Sequence, residues 1–214
     1  MTLDDVCRAL ALPRPGRPAQ MRMSPRPRPG DIYPLPPDLR LKEAGVLILL
    51  YPHAGELYFF LTKRTDTVEM HKGQISLPGG SQENGESLAE TAARETSEEL
   101  GIVRECIQII GEPLTPVYIP VSGFRVTPFV AFTPVKPNLN ASAHEVVQVI
   151  EAPLSILLDD KIVCEEDWEI SGFKMRVPFF SIHGHKVWGA TAMMLSEFRE
   201  MLRQVIEGGN DGIS

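Results

Sequence analysis

Cysteine is scarce in this chain: Cys7, Cys106 and Cys164 are the only three in 214 residues. An odd number with no Cys-x-x-Cys spacing argues against a disulfide framework and against a zinc or redox motif, and points to a reducing compartment. Long apolar runs are lacking as well. The most apolar stretch, Gly45 to Tyr51, is far shorter than the roughly 20 residues a membrane-spanning helix needs. Asp4 and Asp5 stand where a secretory leader would be basic and then apolar, and Gly212-Ile213-Ser214 matches no peroxisomal or ER address. A cytoplasmic protein with no membrane partner is the expectation. Positive charge is in deficit too. There are 21 Lys and Arg against 28 Asp and Glu, a formal net charge of -7, which argues against nucleic acid as a partner. An anionic small molecule stays open, because clustered carboxylates recruit divalent cations that reverse the local field.

What is present suffices for a core: 43% of residues are hydrophobic and 23% charged. Composition divides the chain into an N-terminal segment, residues 1–43, and a compact domain, residues 44–214. Pro13 to Pro37 is dense in proline, arginine and glycine, which predicts an extended or polyproline-like linker or arm, solvated at the surface. A short helix over about Leu3 to Leu12 precedes it. Beyond Ala44, apolar segments at Gly45 to Tyr51 and Leu57 to Lys63 flank a Pro-His-Ala-Gly-Glu turn and predict a hairpin. Helical spacing follows from about Ser87 to Leu100. Strands are expected near Cys106 to Ile110, Phe124 to Phe132, Glu145 to Ile150, Ile162 to Ile170 and Phe173 to Ile182. A closing amphipathic helix spans Ala190 to Ile206, with Leu195, Phe198, Leu202 and Ile206 at helical spacing.

The informative segment runs from Gly79-Gly80 to Gly101-Ile102. Its paired glycines and Asn84-Gly85 signal turns before a helix, and Gly101 is placed to end it. At about 100° per residue, Leu88, Ala89, Ala92, Ala93, Thr96 and Leu100 form one face. Glu95, Glu98 and Glu99 fall beside it, at the rim of a core. Carboxylates this close repel one another and rise in pKa unless a cation intervenes, and magnesium or manganese suits all-oxygen donors. Arg94, four residues before Glu98, can pair with a carboxylate on the same helix.

Gly80, Glu86, Arg94-Glu95, Glu98-Glu99, Gly101 and Ile102 stand in a gapless 23-residue pattern, expected by chance in roughly one chain in a hundred thousand or fewer. The pattern resembles the Nudix hydrolase box, with Thr96 departing at its first apolar position. The resemblance implies an α/β/α sandwich around a mixed β-sheet and metal-dependent cleavage of a nucleoside diphosphate linked to another moiety, with Mg2+ or Mn2+ as cofactor. It also implies roles. Glu95 and Glu99 would bind metal, Glu98 would be a further ligand or activate water, Gly80 would offer its carbonyl to a metal, and Arg94 would orient the glutamates. Glu145 is a second candidate for base or extra ligand, and equally an ordinary strand-edge acid.

Upstream, Leu61, Thr62, Arg64, Gly73, Pro78, Gly79 and Gly80 resemble the coenzyme A diphosphatase branch in register, as do segments downstream to about Ile206. Phe60, Thr65 and Leu77 depart mildly; Glu69 reverses the charge of an arginine in that pattern. The resemblance implies coenzyme A or acyl-CoA as substrate, with Arg64, Lys72 and Arg125 as phosphate contacts or surface ion-pair residues. Pro116 and Tyr118 stand near positions expected of ADP-ribose and dinucleoside polyphosphate pyrophosphatases, respectively. A catalytically silent nucleotide-binding module is the alternative of another class, disfavoured by the full set of box glutamates. The oligomeric state is left open, a homodimer included.

Overall fold

The computed structural model describes residues 1–28, 41–65, 74–170 and 172–208. In chain order its helices and strands are α1 (Leu3–Ala11), α2 (Arg17–Met21), β1 (Lys42–His53), β2 (Glu56–Arg64), β3 (Ile75–Ser76), β4 (Gly79–Ser81), α3 (Leu88–Leu100), β5 (Gln108–Ile110), β6 (Val117–Ile119), β7 (Phe124–Phe132), β8 (Val146–Pro153), β9 (Val163–Ile170), β10 (Phe173–Ile182), β11 (His185–Trp188) and α4 (Gly189–Gly208).

The centre is β1, buried on both faces because its apolar residues run without interruption. Val46, Ile48 and Leu50 enter a core shared with α1 and α4. Leu47, Leu49 and Tyr51 enter the opposite one, against Ala92, Ala93 and Leu100 of α3. The period-2 geometry of a strand therefore builds two cores from one run and gives helix layers on both faces of a sheet. The sheet is mixed: β1 runs parallel to β7 and antiparallel to β2 and β4. A second, antiparallel sheet has the order β11-β10-β9 and packs Val177, Phe180, Ile182 and Val187 into the α4-side core.

One irregularity positions the site. β2 pairs with the end of β1 (Leu50↔Phe59 to His53↔Glu56), while β4 takes the place beside its start (Ala44↔Ser81 to Val46↔Gly79). The hairpin turns through Ala54 and Gly55, both at positive φ, as tight hairpins require. Strands at 124–132 and 173–182 match expectation. Arg104–Cys106 is a 3-10 turn, so the strand expected from Cys106 starts only at Gln108.

The N-terminal segment departs further from its sequence reading. Arg17–Met21 is a helix where extended chain was expected; Pro18 sits in its first turn, where the missing N–H is not needed. The proline-rich stretch is also only partly solvated: Pro13, Arg17, Pro18, Arg22, Arg26 and Pro27 are exposed, whereas Ala19, Gln20, Met23, Ser24 and Pro25 are buried. The cause is Glu197 of α4, fully buried, which accepts hydrogen bonds from Gly16 N (3.2 Å), Gln20 Nε2 (2.8 Å) and Thr115 Oγ1 (2.6 Å). Arg14 binds the carbonyls of Leu10, Leu12, Glu112 and Pro113 at 2.8 to 3.0 Å. Residues 29–40, the rest of the proline-rich stretch, lie outside the described residues.

Replacing Glu197 with Ala strands those buried donors and should cost about 3 kcal/mol. Thermal unfolding checks the magnitude, and hydrogen exchange should show residues 14–23 losing protection first; unchanged protection there would refute the docking role.

Candidate active site

α3 starts at a capping box: Ser87 Oγ accepts from Glu90 N (3.3 Å) and Glu90 Oε2 from Ser87 N (2.8 Å). It stops at Gly101 in the left-handed region, φ 65°. Between these ends it lies unusually close to the sheet. A Cβ on Gly45 would fall 2.2 Å from the Leu88 carbonyl, and one on Gly80 only 2.4 Å from the Glu95 carboxyl. Thr96, at the apolar box position, is fully buried, and its hydroxyl has no hydrogen-bond partner among the described residues. The departure thus costs packing quality without touching the acids.

Arg94 organises the acids. Its guanidinium donates to both Glu86 oxygens (2.8 and 3.1 Å), to Glu95 (3.0 Å), to Glu98 (3.3 Å) and to the Ser81 carbonyl (3.3 Å). Glu86 also accepts from Glu83 N (2.8 Å) and Thr91 Oγ1 (2.9 Å). These bonds, Arg94's foremost, hold the Glu86 carboxyl down to about 2, and Glu86 in turn holds the guanidinium charged. Glu95 differs. Burial pushes its carboxyl above the ordinary value, the charges of Glu98 and Glu145 add to this, and Arg94 opposes it.

Glu95, Glu99 and Glu145 line one cavity of about 650 Å3 with Gly79 and Gly80. Glu99 is only 5% exposed. Glu145 sits in the turn before β8, not in the strand, fixed by backbone bonds to Ser142 (3.1 Å) and Thr65 (3.1 Å). The remaining walls are mostly apolar, including Val46, Leu77, Val117, Ile119, Phe124 and Met193.

The expected site residues therefore divide. Gly80, Glu95, Glu99 and Glu145 meet at the cavity. Glu98 is exposed and lies on the outer side of the Arg94 guanidinium, not in the cavity lining. Arg125 is outside the lining and pairs with Glu43 (2.8 Å), the surface ion pair left open by the sequence. Arg64 ends β2, but its side chain, like Glu69 and Lys72, lies outside the described residues. Sequence reasoning missed Ser24, Pro25 and Arg28 in the same lining; only the excess of arginine in that stretch hinted at a role.

A methyl group at Gly80 meets the flexible end of Glu95, so Gly80→Ala should displace that carboxyl and leave the fold intact. Turnover should fall roughly tenfold to a hundredfold with little change in Tm; unchanged kcat would show that the Glu95 position is irrelevant. The Glu86 carboxyl is depressed from 4.5 to about 2, so its stabilisation is complete above the unfolded value and lost as pH falls through this window. Acid titration of Tm should show wild type and Glu86→Gln differing at neutral pH and converging toward pH 2, whereas a constant gap would count against the pairing.

The NUDIX domain family matches residues 41–171. The chain is 36% identical over 160 residues to the uncharacterized Nudix hydrolase NudL of Enterobacter sp. (strain 638), across 74% of this chain and 82% of that one. It is 32% identical to Nudix hydrolase 22, chloroplastic, of Arabidopsis thaliana, across 75% of this chain and 55% of that one. A MutT/nudix family protein from Enterococcus faecalis shares the fold, with a TM-score of 0.52 at 19% identity, across 81% of this chain and 65% of that one. The matched residues contain the glutamate helix and the hairpin beside it, and the chain belongs to the Nudix hydrolase family.

Proposed function

We propose that this Nudix hydrolase cleaves the diphosphate of coenzyme A or an acyl derivative, giving 4′-phosphopantetheine and 3′,5′-ADP, with Mg2+ or Mn2+. The carrying observation is the cavity itself, which joins the carboxylates of Glu95, Glu99 and Glu145 to a long apolar wall. A diphosphate belongs at the acids, and an uncharged pantetheine or acyl arm suits the wall. The Leu61 to Gly80 motif supports the same substrate.

Nudix hydrolases generally use divalent metals. Glu95, Glu99 and the Gly80 carbonyl offer only oxygen donors, and a cation there would oppose the upward push that burial gives the Glu95 carboxyl. Among the described residues no three acidic, His or Cys side chains are drawn together as a ligating set, so the fit rests on donor chemistry and not on a preformed cage. Such an ion, when bound, lowers the pKa of water and offsets charge at phosphorus. Arg94 is a positioning residue that fixes Glu95 and Glu98. Glu145 lines the cavity and Glu98 lies outside the lining, which favours Glu145 as acceptor of the water proton. Arg64 and Lys72, upstream of the box, remain the proposed phosphate contacts.

One observation favours a second reading. Tyr118 lines the cavity, and its buried hydroxyl has no hydrogen-bond partner among the described residues, as a dinucleoside polyphosphate hydrolase would use it.

Comparing kcat/KM for coenzyme A, acyl-CoA, ADP-ribose, NADH and diadenosine polyphosphates with each metal should rank coenzyme A or acyl-CoA first. Rapid cleavage of another substrate with coenzyme A left intact overturns the assignment. Glu99→Gln should lower kcat by roughly a thousandfold, and Glu145→Gln should lower it more than Glu98→Gln; the reverse order would return the base to Glu98.

A further inference from the structure

The described lining of the cavity contains three carboxylates and one cationic side chain, Arg28. That arginine does not come from the matched family region, residues 41–171, but from the N-terminal segment. It arrives there on a fixed path. Ser196 Oγ binds the Ala19 carbonyl (2.8 Å), and Arg22 pairs with Glu200 (2.6 Å). Met23 and Ser24 are each 2% exposed. Arg26 then exchanges two backbone hydrogen bonds with Arg176 of β10 (2.8 and 2.9 Å), and its side chain pairs with Glu165. On either side of Arg26, Ser24, Pro25 and Arg28 line the cavity.

Arg28 does not serve to neutralise the acids. No described carboxylate lies within ion-pair distance of it, while every other arginine from Arg22 to Arg26 is paired. The acids also enter from the opposite layer: Glu95 and Glu99 ride on α3, whereas the N-terminal segment packs with α4 on the other face of the sheet. A guanidinium at an otherwise apolar and acidic wall, paired with no carboxylate among the described residues, is suited to a phosphate or other anion on the ligand.

We propose that Arg28 binds a phosphate monoester of the substrate separate from the scissile diphosphate, which in coenzyme A is the 3′-phosphate of the ribose. The N-terminal segment then selects the substrate while α3 carries out the chemistry. This rests on the coenzyme A reading for the identity of the phosphate, and not for the existence of the contact.

The test compares ligand pairs that differ only by that phosphate. In wild type, 3′,5′-ADP should bind more tightly than 5′-AMP by calorimetry, and kcat/KM for coenzyme A should exceed that for dephospho-coenzyme A. Arg28→Ala should shrink both preferences about tenfold or more, Arg28→Glu should abolish or invert them, and Arg28→Lys should restore most of them. A purely structural role would weaken both members of each pair together and leave the ratios at the wild-type value, which overturns the proposal, as does a wild type without preference for 3′,5′-ADP. If coenzyme A is not cleaved, the substrate assignment falls, and the product-binding ratio still decides the role of Arg28.

Discussion

The contact between α3 and the sheet has no room for a side chain at Gly45, and at Gly80 admits one only by displacing the Glu95 carboxyl; the site follows from that restriction. With the helix this near, its register against β1 is set at Gly45 by the backbone of Leu88 and Ala92, while at Gly80 of β4 the Glu95 carboxyl fills the space. Glu95 is pressed onto the Gly80 peptide, and Glu99, one turn on, is buried at the same cavity. Arg94 can then reach Glu86, Glu95, Glu98 and Ser81 at once. The half-buried Glu95 is tolerable because this guanidinium opposes the effects of its burial and of the Glu98 and Glu145 charges.

The acidic excess of the chain is thus not spread evenly over a solvated surface. Some of it is tied up in structure, as with Glu197 receiving the N-terminal segment, or Glu43 receiving Arg125. A smaller share faces the cavity, and there the charge is concentrated on one wall. Substrate anions meet a negative surface unless cations are present, which makes metal and substrate binding interdependent by electrostatics alone.

Much of this was legible in the sequence, and the remainder has definite physical reasons for being hidden. The hairpin, α3 and the long strands β7 and β10 announce themselves by periodicity and by Gly at the turns. Glu95 and Glu99 could be read onto one face because they are four residues apart; Glu98 turns about 60° to the other side of Glu95, which is why it emerges in solvent. Strands of two to four residues, such as β3, β4 and β11, are too short to carry a period. Gly79-Gly80 read as a turn, yet their lack of Cβ matters as much for the approach of Val46, Gly45 and Glu95. The docking of the N-terminal segment was illegible because its anchor, Glu197, looks on a helix like any solvated acid, and its partners lie more than 80 residues away.

The cavity does not end where the family match ends. Residues 41–171 supply the acids, but Ser24 to Arg28 close the cavity from upstream, and Trp188 to Met194, at the start of α4, close it from downstream. The acids and the flanking walls of the cavity are therefore carried by different lengths of chain. Descent can exchange one flank while the glutamate helix stays as it is, so that relatives alike in the shared region need not share a substrate.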